Sequence, residues 1–550
     1  MNKLPQVSLT GAQAIVECFK LESIPKVFCV PGESYLPLMD AIRDEPSIDL
    51  ISARHEGGAS FMAEGFAKAS GIPGIVMATR GVGGSNLTIG VHTAYQDSTP
   101  MVVLLGQVHS DFRGREGFQE IDLVQYFSPI SKWAAEIQDP ARVPELVQRA
   151  FRIAKTGRPG PVVLSLPEDL LKKKAKMTFG KPAVRPSPAP SLKEIHEIQK
   201  LLKTANRPII IAGGGVKSSG GEEALIQFAG KYQLPVMSAF RRHDIFPNNH
   251  PLYTGHLGLG MKASLLQTIQ EADLILAIGT RLSEVTTQDY SLIRSNQSLI
   301  HIDIEYETLG KVYAPDIGII ADAREALLAL IQMEFTPSWT SWGREKRKAY
   351  EESVQSLRDK PTLNDQVISL LQEHLPPDAI ITNDAGNFAG WLHTYYQFNE
   401  TNTYIGPTSG AMGYGMPAAL GVKLAHPERT VVSLSGDGGF MMTMQELETA
   451  IRYKIPVISL IFNNSMYGTI RMHQEIHYPT KTIGTDLGYV PFAKIAAEVG
   501  AHSRYVENAE EFEIALLEAL RCLKPSVIEI KCDGEQISVS KTIEQIRKRN

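Results

Sequence analysis

Cysteine is scarce. Only Cys18, Cys29, Cys522 and Cys532 occur in 550 residues. No two form a CxxC pair, so neither a zinc ribbon nor a disulfide framework is supported, and a reducing compartment is the simplest reading. Long apolar runs are missing as well, and none approaches the ~20 residues of a membrane span. The opening MNKLPQVSLTGAQ has no signal-peptide core. Neither sign of charge is in excess: 55 Lys+Arg stand against 60 Asp+Glu, a formal net charge of −5. That balance gives no electrostatic basis for binding nucleic acid or a membrane surface. The expectation is a cytoplasmic globular protein.

What is present is alternation. Short apolar runs alternate with amphipathic stretches, the pattern of α/β domains built on parallel sheets. KVFCV, IDLISA, GIVMAT, PMVVLLG and VVLSLP read as strands in the first third, and RPIIIAGGG, ADLILAIGTR and LIHIDIE in the second. AIITNDAG, TVVSLSGDG, PVISLIFNN and SVIEIK follow in the last third. A chain of this length exceeds one core. The predicted fold is three doubly wound α/β domains with parallel sheets, residues 1–171, 193–335 and 363–535. An exposed linker is expected over 172–192 and a helical one over 336–362, with a tail over 536–550. The first and third domains share a strand–turn–helix rhythm, without a clear sequence repeat.

One segment carries a chemical signal. GDGGFMMTMQELETAIRYKIPVISLIFNN opens at Gly436-Asp437-Gly438-Gly439 and closes at Asn463-Asn464. A helix over 441–454 is predicted between two strands. In a right-handed βαβ unit both turns lie at the carboxyl edge of one sheet, so Asp437 and Asn464 can meet. The glycines let an anion approach the backbone, and the following helix presents its positive end. A carboxylate, an amide oxygen and a nearby carbonyl are hard ligands that suit Mg²⁺ completed by a diphosphate. Alone, either turn is ordinary.

Together they resemble the thiamine diphosphate (ThDP) binding motif, and the resemblance extends over nearly the whole chain. It is closest to the acetolactate synthase group, with pyrimidine, central and diphosphate domains in that order. It implies Asp437, Asn464 and the Met466 carbonyl as metal ligands. Glu56, in SARHEGGASFMAEG, otherwise a helix-opening carboxylate, is implied as the catalytic acid against the aminopyrimidine ring. Met412, in GPTSGAMGYGMP, is otherwise a core methionine; the resemblance places it between the cofactor rings. Pro31, Thr79, Asn86 and Asn387 complete the implied ThDP contacts, and Phe118 and Gln119 of GFQE the reacting-carbon side. Glu56 and Asp437 belong to different domains. The resemblance implies a site between two subunits, hence a homodimer or dimer of dimers.

In the central domain Gly213, Gly214, Gly215, Gly279, Thr280, Arg281, Asp303 and Asp322 lie at strand ends that suit a dinucleotide. With GHLGLG they resemble the FAD-binding form of this domain, although related enzymes leave it empty or bind ADP there.

The chain also departs from the pattern. Pro31-Gly32-Glu33 replaces Pro-Gly-Gly, so Glu33 is either a second catalytic acid or a solvated loop carboxylate. TRGVGGSN replaces TSGPGATN, so Arg80 either pairs with a carboxylate in the substrate pocket or reaches solvent. His109 is either a proton carrier or a surface histidine. Arg471, His473 and Gln474 are candidate substrate contacts. The expected function is decarboxylation of a 2-oxo acid, pyruvate, with ligation of the enamine to a second carbonyl. Non-ligating decarboxylation, a flavin-dependent oxidase and a non-catalytic ThDP-fold sensor are the alternatives.

Overall fold

Each of the three domains begins on the same local signal. Thr10, Ser191 and Thr362 cap the helices Gly11–Leu21, Leu192–Thr204 and Leu363–His374, each closed into a capping box by a residue three positions on. The computed structural model describes residues 6–355 and 361–548. Among these the strands form three six-stranded parallel sheets and one two-stranded antiparallel ribbon.

The first sheet runs Asp49–Ser52, Lys26–Cys29, Gly74–Thr79, Met101–Gln107, Pro161–Pro167, Trp133–Glu136. The third domain's sheet runs Tyr404–Ile405, Ile380–Asn383, Val431–Gly436, Ile458–Asn463, Ser526–Lys531, His502–Val506. Counted within each sheet, both orders are 2-1-3-4-6-5. The shared rhythm of the two sequences is therefore a shared topology. The central sheet runs Tyr253–His256, Val236–Ser238, Pro208–Ala212, Leu274–Ile278, Ser298–Asp303, Ile317–Ile320, the 3-2-1-4-5-6 order of dinucleotide-binding domains. Inner strands such as Met101–Gln107 and Pro161–Pro167 are buried along their whole length, because helices cover both faces.

The first and third domains pack through equivalent helices. Glu56–Ser70 and Gly415–Ala425 each follow the second strand of their sheets. Gly65 lies against Ala418 and Gly421 against the Met62 carbonyl, too close for any side chain. At this contact Glu64 accepts from Tyr414 Oη and pairs with Lys68 at 2.9 Å. Lys68 pairs in turn with Asp97 at 3.0 Å, and Asp97 with Arg242 of the central domain at 3.3 Å. Asp97 also accepts the Thr408 amide N–H at 3.1 Å. One buried network thus joins all three domains.

Three local expectations change. Within the stretch read as the first linker, Lys174–Met177 is a strand paired with Val7–Thr10. In the second, the expected helix is Thr340–Gln355, but it is seated on the central domain, with Trp339, Trp342 and Tyr350 buried and Trp342 Nε1 donating to the Pro208 carbonyl. The helix expected over 441–454 is two, Asp437–Thr443 and Glu446–Arg452. Beside the break, Thr443 Oγ1 donates to the Gly413 carbonyl while the Glu446 carboxylate accepts the amide N–H groups of Arg54 and His55. No described helix is long and apolar enough to cross a membrane.

Candidate active site

Strand register brings the two motif turns together. Val431–Gly436 pairs with Ile458–Asn463, with Gly436 opposite Phe462. Asp437 is the first residue of its helix and is buried, and the N–H groups of Gly438, Ser465 and Met466 face its carboxylate. Burial outweighs these bonds and pushes the carboxyl up to about 6. Asn463 is committed to structure through Glu529, whereas Asn464 is half-buried, its Oδ1 accepting the Met466 N–H at 3.2 Å. The Met466 carbonyl accepts from Gly468 at 3.0 Å and retains a second lone pair.

The glycines here are steric necessities. A Cβ on Gly438 would stand 2.6 Å from the Tyr467 ring, and one on Gly439 would strike Asp384 Oδ2. Asp384, at the end of strand Ile380–Asn383, is fully buried, and burial pushes its carboxyl up to about 6. Its Oδ2 has no partner. A cleft of about 380 Å³ opens beside Asp437, lined by Gly438, Met441, Met442, Tyr467 and Tyr489 among others, all from the third domain. Met412 is half-buried in the loop before helix Gly415–Ala425, outside the hydrophobic core.

The other half lies on the first domain. Glu56 opens its helix, and His55 Nδ1 caps that helix by accepting the Gly57 N–H. Asn86 Nδ2 donates to Glu56 Oε2 at 2.9 Å, and Gly83 leaves room beside Oε1, which an added Cβ would approach to 3.0 Å. Thr79 Oγ1 lies 2.7 Å from Ser34 Oγ, which draws the Pro31–Glu33 turn to the same sheet edge. Pro31, Glu33, Glu56, Thr79, Arg80 and Asn86 therefore gather at neighbouring strand ends. Arg80 does not reach solvent. It is buried and paired with Glu168 at 3.1 Å and Glu33 at 3.7 Å. Phe118 is exposed, and Gln119 Oε1 is buried without a partner.

Several expected contacts have other work. Asn387 donates to the Ile537 carbonyl at 2.7 Å and accepts from Thr469. Arg471 pairs with Glu475 and Asp486, and Gln474 makes two bonds to the Ile483 backbone. His473 is exposed and stacks on His477. His109 accepts the Asp111 N–H, capping a turn, and packs at a tilt against Phe112. Helix Gly468–His477 turns Arg471 and Gln474 toward its own neighbours and leaves His473 exposed.

In the central domain Gly213, Gly215 and Gly279 pack backbone to backbone, Gly279 with φ 59°. A Cβ on Gly214 would stand 2.8 Å from Arg242 Nε. Arg281 lies close to Arg158 and Arg242, and burial together with this like charge lowers it to about 10. Thr280 and Asp303 are buried beside it, and burial raises the Asp303 carboxyl. Asp322 instead caps helix Ala323–Leu330 and pairs with Arg185. A cluster of arginines at the switch point of this sheet suits the diphosphate of a nucleotide.

Family models match in the same order as the domains. The thiamine pyrophosphate enzyme N-terminal TPP binding domain covers residues 9–126, the central domain 195–330 and the C-terminal TPP binding domain 384–530. The chain belongs to the thiamine pyrophosphate enzyme family. Curated relatives of this thiamine pyrophosphate enzyme include a probable acetolactate synthase large subunit of Methanocaldococcus jannaschii, 34% identical over 96% of this chain and 92% of the relative. The acetolactate synthase large subunit of Buchnera aphidicola subsp. Schizaphis graminum is 34% identical over 94% and 93%. The isozyme 3 large subunit of Escherichia coli is 31% identical over 96% of each chain. Sequence reasoning passed over Asp384, Glu446 and Glu168. Asp384 and Glu168 carried a usable signal, a carboxylate directly after a strand; Glu446 carried none, since it acts across domains.

Proposed function

We propose that this chain is a ThDP- and Mg²⁺-dependent carboligase that decarboxylates a 2-oxo acid, pyruvate, and joins the remaining fragment to a second carbonyl. The observation that carries the reading is the meeting of Asp437 with the Asn464–Met466 turn, in a chain whose Glu56 is held in place by Asn86. The names of the relatives support the choice of reaction. Asp437, Asn464 Oδ1 and the Met466 carbonyl would hold Mg²⁺, and the helix opening at Asp437 would face the diphosphate. When bound, ThDP supplies the carbon nucleophile and electron sink. Asn86 occupies one Glu56 oxygen, so the proton Glu56 manages sits at Oε1. Gln119 offers its unpartnered oxygen to the substrate. Phe118, Met441 and Met442 are exposed apolar groups. Their exposure supports a homodimer in which Glu56 of one copy faces Asp437 of another.

The central domain is assigned an adenine nucleotide, FAD in the leading form, on its strand order and on its Arg242 and Arg281, which cluster with Arg158 of the first domain. Non-ligating decarboxylation is the second reading, favoured by the half-exposed Glu33 carboxylate at the same sheet edge. Product analysis with ThDP, Mg²⁺ and pyruvate, following CO₂ and oxygen together, separates them. Acetolactate without oxygen uptake supports ligation, acetaldehyde alone supports decarboxylation, and oxygen uptake supports an oxidase. No turnover of pyruvate would overturn the donor assignment.

A further inference from the structure

Two of the residues that break the acetolactate synthase pattern in the first domain, Glu33 and Arg80, meet in space. Glu33 follows strand Lys26–Cys29, and Arg80 directly follows strand Gly74–Thr79. Arg80 holds φ 42°, a backbone state that a non-glycine residue keeps only when its surroundings over-determine it. The residue is 8% exposed, and its guanidinium has three kinds of partner. Nη2 donates to Glu168 Oε2 at 3.1 Å, and Glu168 follows strand Pro161–Pro167. Nη1 donates to the Phe118 carbonyl at 3.2 Å, and the group lies 5.9 Å from the centre of the Phe118 ring. Glu33 stands farther off at 3.7 Å with its side chain 58% exposed, so it is the weaker partner.

The Phe118 contacts bear on one loop. Beside the Phe118 bond, the Gly81 N–H donates to the Gln119 carbonyl at 3.1 Å. Gln119 itself holds φ 63°. From within the loop, Glu120 accepts from Gly114, Gly117 and Arg113. Gln107 Nε2 closes the far end on the Ile121 carbonyl. Arg80 and Gln119, two strained residues, are thus bonded to each other's neighbours. The strand Met101–Gln107 lies between the strands that end at Arg80 and Glu168, so the ion pair spans an intervening strand.

We propose that Arg80 is a positioning residue. It clamps the Gly117–Glu120 loop over the strand ends, with Glu168 as anchor, so that the buried Gln119 oxygen is presented in one orientation. Two carboxylates face one guanidinium, which leaves no net positive charge for a substrate carboxylate. Arg80 therefore does not select acidic substrates, contrary to the pocket role its sequence position suggests. The reaction that Gln119 serves rests on the carboligase reading, whereas the clamp does not.

The test uses the full chain with ThDP and Mg²⁺ and the variants Arg80→Ala, Arg80→Lys and Glu168→Gln. Amide hydrogen exchange across residues 114–121 is read without substrate, and kcat and KM with pyruvate. In Arg80→Ala the loop should exchange about tenfold faster. Its kcat should fall by about 10²-fold, the scale of a reacting group misplaced by an ångström, with KM and ThDP affinity nearly unchanged. Arg80→Lys retains the charge but not the fork, and should recover part of both losses. Unchanged loop exchange in a folded Arg80→Ala protein would overturn the clamp. So would a raised KM at constant kcat, which would make Arg80 a substrate contact. Should Arg80→Ala fail to fold, Glu168→Gln must show the same loosening of the loop, and its absence would count equally against the proposal. Should the wild type not turn over pyruvate, the carboligase reading fails while loop exchange still decides the clamp.

Discussion

Glu56 owes its place to its neighbours. His55 caps the helix that Glu56 opens, Asn86 fixes one oxygen and Gly83 leaves space at the other. Glu56→Gln keeps the shape and an acceptor for Asn86 but loses the acid. We expect kcat to fall by roughly 10²–10⁴-fold, the usual worth of a positioned acid or base. ThDP affinity, followed by titration, should be retained, and full activity in this variant would remove the assignment. At this scale the sequence was informative where a residue sits in a turn between rigid elements. Strand register brings the turn at Asp437 to the turn at Ser465 and Met466, as their sequence positions suggested. It was uninformative for Arg471 and Gln474, whose partners Glu475 and Ile483 are set by the fold of one segment upon itself. Arg80 lay between: its type announced a carboxylate partner, but only the fold names Glu168.

At the scale of elements, inner strands were legible and edges were not. GIVMAT matches strand Gly74–Thr79 residue for residue, because burial on both faces forces a continuous apolar run. Tyr404–Ile405 is two residues long and His502–Val506 is largely exposed, so neither carries that signature. The carboxy-terminal segment was equally silent. Ile537, Ile543 and Ile546 pack on Met466 and Met472, and Arg547 pairs with the buried Glu475 at 2.6 Å. Arg547, the largest influence, together with Arg471 holds the Glu475 carboxyl down at about 2. This segment braces the turn that offers the Met466 carbonyl. Its removal from residue 533 onward should weaken Mg²⁺ binding by about 10–100-fold, the range for lost support of a metal site. Calorimetric titration of Mg²⁺ checks this, and an unchanged affinity would show that the turn stands alone.

At the scale of the whole molecule, Asp97 is the junction. Burial alone would raise its carboxyl, but Lys68 and Arg242 overcome that and hold it at about 2, below its usual 3.8. A depressed carboxyl contributes stability that is complete above about pH 4 and is lost as pH falls toward 2. Asp97→Asn takes the carboxylate from Arg242 and leaves Lys68 with Glu64 alone, and should cost about 3–5 kcal/mol at neutral pH. It should also flatten the acid limb of the stability profile between pH 4 and 2, and thermal unfolding across pH measures both. Glu56 stands on the first domain, and Asp437 in a cleft lined by the third. The central claim is that two copies complete each carboligase site. Co-expression of Glu56→Gln and Asp437→Asn chains tests it most directly, with acetolactate formation as the readout. A mixed dimer would then hold one site with both substitutions and one with neither. Random pairing should restore about a quarter of wild-type activity, although each variant alone is inactive. No restoration in a mixture that contains mixed dimers would place each site within one chain and contradict the account.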